Sequence, residues 1–91
     1  EASEDVTGRN MFPPRYPPEE DRRGIGGTVT LLVQIDATGA VLDVQVEKSS
    51  GNRNLDRSAM QAARRWRFNP GSRGGVKVGG LVRVPVTFNP K

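Results

Sequence analysis

The side chains best able to do chemistry in this chain are a few carboxylates, two adjacent serines, an arginine run broken by tryptophan, and one proline inside an apolar strand. Asp36, Asp43, Glu47 and Asp56 are where a general acid–base pair would be sought. Asp36 ends a predicted strand and Asp43 falls on a polar strand face, so neither is placed for the burial that shifts a pKa. Ser49 and Ser50 have only Lys48 beside them. Neighbours along an extended chain point to opposite faces, which keeps a Ser–Lys pair apart. The chain contains no His and no Cys. That removes His-based triads and proton shuttles, Cys-ligated zinc and disulfides. Gly24-Ile25-Gly26-Gly27 precedes a strand, whereas a phosphate-cradling loop must open a helix. The chain therefore reads as a non-enzyme with no cofactor and no metal.

Arg64-Arg65-Trp66-Arg67-Phe68 has the composition of a nucleic-acid patch, in which arginines take phosphates and an aromatic stacks on bases. Helical counting instead puts Trp66 on the apolar stripe of a helix and the arginines at its C-terminal end, where the helix dipole favours cations. The core reading of Trp66 and Phe68 is preferred, and no nucleic-acid partner is expected. Pro85 is more informative. It lies inside Leu81-Val82-Arg83-Val84-Pro85-Val86-Thr87-Phe88. Proline has no N–H to give a ladder, so within sheets it is confined to edges and bulges. An edge strand offers its outer backbone groups to any extended chain. These residues, Leu81 to Thr87, are the candidate partner-binding strand.

Three strands and two helices must position that edge. Tyr16-Pro17-Pro18 leads into Glu19-Glu20-Asp21-Arg22-Arg23-Gly24, with proline and acids first, arginines last and a glycine stop. That order describes a turn or two of helix, too short to stand without docking through Tyr16 or a neighbour. Thr28 to Asp36 alternates, with Val29, Leu31, Val33 and Ile35 on one face. Ala37-Thr38-Gly39-Ala40 turns the chain, and Val41 to Lys48 returns with Leu42, Val44 and Val46 sharing a face. A helix is predicted from about Asn54 to Arg67, capped by Asn52 or Asn54. Leu55, Ala59, Ala62, Ala63 and Trp66 form its apolar stripe. Ser72 to Gly80 reads as a glycine-rich loop with a short extended piece at Val76-Lys77-Val78. The last strand follows. The fold class is α+β: a three-stranded antiparallel sheet of order 2-1-3, one long helix on one face and a short N-terminal helix. Residues 1–15 read as a flexible or extended arm and residues 16–90 as the domain.

At 91 residues there is room for one small core. Eleven arginines and three lysines against ten acids leave a net charge of +4, which favours a mildly anionic partner. No apolar run is long enough to span a membrane, and no signal-peptide pattern is present. With Glu1 and not Met at its start, the chain is expected to be a fragment or a processed form.

Several short pieces then fall in a familiar order: Tyr16-Pro17, Gly27-Thr28-Val29, Gly39, Ser49-Ser50, Leu55-Asp56, Arg65-Trp66-Arg67-Phe68-Asn69-Pro70 and Val84-Pro85-Val86-Thr87-Phe88. Together they resemble the TonB C-terminal domain, from about Arg15 to Phe88. The resemblance implies the periplasmic domain of a transducer anchored in the inner membrane of a Gram-negative bacterium. Such transducers work with ExbB and ExbD through the N-terminal anchor, and a proline-rich spacer crosses the periplasm. The domain grips the TonB box of an outer-membrane transporter and transmits force from the proton gradient, which drives uptake of a siderophore, vitamin or similar nutrient. β-Strand addition along Leu81, Val82, Arg83, Val84, Pro85, Val86 and Thr87 fits that grip. Backbone groups alternate sides along a strand, so Arg83 and Thr87 share the side of Pro85, and the Arg83 charge favours an acidic residue near the box. The alternative is a TolA-like or other envelope domain of the same fold, with a different peptide or cell-wall partner. The exposed edge also admits a weak homodimer.

Overall fold

The computed structural model describes residues 12–90. Most of the expected arm, residues 1–11, lies outside the described residues. The element order is α1 (Pro18–Arg22), β1 (Gly27–Ile35), β2 (Val41–Lys48), α2 (Arg53–Ala63), β3 (Gly71–Arg73), β4 (Val76–Val78) and β5 (Gly80–Phe88). β2, β1 and β5 form an antiparallel sheet in that order, and β3 and β4 form a separate hairpin. With β5 as the third strand of the sheet, this is the predicted α+β topology. Among the described residues no helix is long and apolar enough to cross a membrane.

One face of the sheet carries the core. Val29, Leu31, Val33 and Ile35 of β1, with Val82, Val84, Val86 and Phe88 of β5, are buried against Leu55, Ala59 and Ala63 of α2. The two alanines lie one helical turn apart and bring the helix close to the sheet. The short α1 docks as the sequence demands. Tyr16 Oη donates to the Ile25 carbonyl at 2.5 Å, and its ring meets that of Phe88 edge-on at 5.3 Å. Burial and then the nearby Asp21 charge raise the Tyr16 pKa.

Two local expectations fail. Leu42 does not join the core face. Gln34 pairs with Asp43 and Ile35 with Val41, so the extra residue bulges and Leu42 is left 60% exposed while Val41 packs inward. The long helix also stops early, at Ala63 instead of near Arg67. The amides of Arg65 and Trp66 donate three residues back, to Ala62 at 3.0 Å and Ala63 at 3.1 Å. This tight turn swings Trp66 into the core at 1% exposure. Strand-like pairing then takes over. Arg67 bridges to Ala40, and the Phe68 amide donates to the Gly39 carbonyl at 2.9 Å. Gly39, at φ +90°, is required here, because a Cβ would overlap the Phe68 carbonyl oxygen.

The predicted loop contains a hairpin. Gly74 and Gly75, at φ +59° and +82°, make the two-residue turn between β3 and β4. Two positive φ values in sequence are what a tight hairpin turn needs, and glycine supplies them without steric cost.

Candidate functional site

β5 is the outermost strand on its side of the sheet, with β1 as its one partner strand among the described residues. Nine consecutive pairs join it to β1, from Gly27–Phe88 to Ile35–Gly80, with no register shift. Side chains alternate along it. Val82, Val84, Val86 and Phe88 are buried, while Leu81, Arg83, Pro85 and Thr87 are exposed. All seven residues singled out from the sequence therefore lie on one continuous edge strand. Pro85 sits opposite Thr30, and Thr87 opposite Thr28. The Thr28 and Thr87 hydroxyl oxygens are 3.0 Å apart. Such close side-chain approach is typical of the narrow, non-hydrogen-bonded pairs of an antiparallel ladder.

The other edge differs. β2 has two register shifts, one beside Leu42 and one where Glu47 is passed over between Val46 and Lys48. Its outer residues include Asp43, Glu47 and Lys48. Bulges and charges are devices that keep an edge from pairing.

The Arg83 side chain crosses the open face of the sheet. Its Nε donates to Glu47 Oε1 at 2.5 Å and its Nη2 to Oε2 at 2.9 Å. This fork reaches from β5 over β1 to β2. Hydrogen bonding and charge from Arg83 hold the Glu47 carboxyl below its ordinary range, and the Glu47 carboxylate in turn raises the Arg83 pKa.

The remaining candidates have structural duties. Asp36 Oδ1 accepts from the Thr38 hydroxyl at 2.6 Å, the Thr38 amide at 2.8 Å and the Ala40 amide at 3.0 Å. These bonds, the Thr38 hydroxyl foremost, lower its pKa and build the β1–β2 turn. Partial burial pushes the Asp56 carboxyl up. The hydroxyls of Ser49 and Ser50 and the Ser50 amide outweigh that and hold it low. Asn52 caps α2, its side-chain oxygen accepting from the amides of Asn54 at 2.9 Å and Leu55 at 3.0 Å. Among the described residues no three acidic side chains converge as a metal site. Trp66 and Phe68 are both buried, so the basic run presents arginines without a stacking platform.

Sequence reasoning missed one set of contacts. The segment Phe12 to Arg15 lies along α2. The Trp66 indole Nε1 donates to the Phe12 carbonyl at 2.7 Å, the Ser58 hydroxyl donates to the Arg15 carbonyl, and the Arg65 guanidinium stacks over the Phe12 ring at 4.3 Å. The readable signal was Phe12-Pro13-Pro14, an aromatic followed by two rigid residues.

Comparison with known proteins follows this geometry. The family model for the Gram-negative bacterial TonB protein C-terminal matches residues 13–90. Protein TonB of Xanthomonas campestris pv. campestris (strain B100) is 55% identical over 87 residues, covering 96% of this chain and 39% of that protein. Protein TonB of Vibrio cholerae is 40% identical over 75 residues, covering 82% of this chain and 31% of that protein. The chain thus spans about two fifths or less of the curated relatives it matches. Among solved structures, the Pseudomonas aeruginosa TonB C-terminal domain superposes with a TM-score of 0.73 at 36% identity, covering 96% of this chain and 88% of that one. The TonB2 protein of Vibrio anguillarum gives 0.63 at 34% identity, covering 86% and 74%.

Proposed function

The chain belongs to the family of Gram-negative bacterial TonB C-terminal domains, and we propose that it is the periplasmic domain of a TonB-like energy transducer. In this reading it grips the TonB box of an outer-membrane transporter by β-strand addition to β5. The rest of the protein would anchor in the inner membrane and work with ExbB and ExbD. Force drawn from the proton gradient would then pass through the grip and drive uptake of a siderophore, vitamin or similar nutrient. The activity is transport, not catalysis.

The observation that carries this reading is the contrast between the two sheet edges. β5 keeps nine pairs in unbroken register, whereas β2 shifts twice. An added strand needs an unbroken row of backbone groups, and of the two edges of this sheet β5 is the one in unbroken register. The narrow Thr28–Thr87 pair supports an outward backbone at Thr87. By alternation the same holds at Pro85, where an inward nitrogen would leave a gap in the β1 ladder. Arg83 and Thr87 then offer N–H groups to the partner. A short added strand forms about four to six hydrogen bonds, each about 0.5–1.5 kcal/mol net. Because those bonds lie across the pulling direction, they load together.

Arg83 takes part through its backbone. Its guanidinium is engaged twice by Glu47, so a partner carboxylate would have to displace that pair.

Titration with a TonB-box peptide tests the site by backbone NMR. The amides of Arg83 and Thr87 are expected to shift most. A response centred on Asp43 to Glu47 would move the site to the other edge, and no response would favour a different peptide or a cell-wall partner. Sedimentation against concentration separates this edge use from pairing between two copies of the chain.

A further inference from the structure

We propose that the outer face of α2 is a second peptide site, made for a polyproline II segment, and that residues Phe12 to Arg15 occupy it in cis. This proposal does not rest on the β5 reading, because the residues are different and face another element.

Three observations converge on it. The first is conformation. Pro13 and Pro14 have fixed φ, and a residue before proline is driven into the extended or polyproline II region, which restrains Phe12, Pro13 and Tyr16. Pro17, before Pro18, shows the outcome at φ −59° and ψ 129°. The second is spacing. The two carbonyls that α2 and its C-terminal turn receive are those of Phe12 and Arg15, taken by Trp66 Nε1 and the Ser58 hydroxyl. They are three residues apart, which is the repeat of a polyproline II helix, so both point to one side. The third is the anchor. The Arg65 guanidinium lies over the Phe12 ring at 4.3 Å, adding a cation–π contact to the indole–carbonyl bond. A tryptophan N–H reading a carbonyl beside a rigid, hydrogen-bond-free backbone is an effective way to hold such a segment, since little conformational freedom remains to be lost.

Phe12 is half-buried against the edge of the core, and the rest of the strap lies at the surface of α2. An open cleft of about 350 Å³ runs beside it, lined also by Gln61 and Ala62. A second cleft of about 310 Å³ lies between Arg15, the start of α1 and the outer residues of α2. Pro13 and Arg15 are exposed, while the indole that donates to the Phe12 carbonyl is buried. The surface the strap occupies is thus formed by Ser58, Gln61, Ala62 and Arg65, with the Trp66 indole N–H as a donor from the adjoining turn. The ligand it suits is an extended segment with an aromatic residue followed by two prolines.

The test uses the whole chain with Pro13→Gly and Pro14→Gly together. The readout is hydrogen exchange of the Trp66 indole N–H, with the Leu31 and Val33 backbone amides as core controls. Two such replacements free the strap when it is off and leave its contacts available when it is on. Indole exchange should rise about fourfold to thirtyfold while the core amides hold. A peptide of residues 9–16 added in trans should restore protection, and a scrambled peptide without adjacent prolines should not. Unchanged indole exchange would overturn the proposal. Loss of Leu31 and Val33 protection in step with the indole would do so too, because the strap would then be part of one cooperative core. Failure of the trans peptide to restore protection would remove the site as a binding surface.

Discussion

Replacing Thr87 by proline asks which way the backbone of β5 faces. Pro85 and Thr87 are two residues apart, so their nitrogens point to the same side of the strand. If that side is the outer edge, Thr87→Pro removes a donor that β1 does not use, and the β1–β5 ladder keeps its bonds. The side chain is a separate loss, because its hydroxyl oxygen lies 3.0 Å from that of Thr28. Thr87→Ala is therefore the reference, and the difference between the two variants isolates the N–H and the ring. Pro85 sits in the same unbroken register, so this strand already accommodates one proline. The Pro and Ala variants should unfold within about 1 kcal/mol of each other in urea. An inward N–H would instead leave a buried acceptor without its donor, at about 1–3 kcal/mol, and would push the ring against β1. Toward a TonB-box peptide the expected loss is one net hydrogen bond, about 0.5–1.5 kcal/mol, or roughly twofold to twelvefold in Kd. Calorimetric titration of both variants reads that number. A proline variant more than about 2 kcal/mol below the alanine variant, or one that binds equally well, refutes the outward assignment.

Gly39→Ala should destabilise the domain by at least about 2 kcal/mol, since φ is +90° and the new methyl overlaps the Phe68 carbonyl. Denaturant unfolding measures it, and a change below about 0.5 kcal/mol would mean the turn and the Phe68 segment are not locked together. Acid should weaken the fold in a defined window. The carboxyls of Glu47 and Asp36 are held below their ordinary values by Arg83 and by Thr38 respectively. A depressed carboxyl contributes stability that is present above its unfolded pKa, near 4, and is lost as pH falls through the folded value. Thermal melts should be flat from about pH 7 to 5 and then decline. Glu47→Gln should make that decline shallower, and an unchanged acid limb would show that the Arg83 fork adds nothing.

The sheet was legible because its signals are local and repeat. Period-two alternation marked β1 and β5, and a single proline marked β5 as an edge. α2 was legible up to its end. Its apolar stripe correctly included Trp66, but the periodicity could not show that a tighter turn, and not another helical turn, delivers it. The capture of the Phe68 amide by Gly39 involves residues 29 positions apart, and no window of sequence carries it. The Leu42 bulge was hidden for a related reason. Both Val41 and Leu42 are apolar, so the pattern could not decide which faces Ile35, and the pairing with β1 did. Gly74-Gly75 was readable as a hairpin turn. Phe12 was the hardest case, because an aromatic beside two prolines fits a free arm as well as a strap until Trp66 is in place.

The two sheet edges also bear on what the proposed grip can select. Charge was expected to come from Arg83. With that guanidinium held in a two-bond fork by Glu47, the row presented by β5 is mostly backbone, and backbone hydrogen bonds carry no sequence information. Preference then draws on the exposed side chains Leu81, Pro85 and Thr87, which are apolar or small, and on what a partner acid gains by displacing Glu47 from the exposed Arg83. The missing N–H at Pro85 does not change this. Every partner residue carries a carbonyl, so each register that spans Pro85 loses the same rung and the proline by itself selects none. In the proposed grip, varied partner sequences are therefore tolerated along the backbone row, and side-chain contacts must set where along the strand they sit.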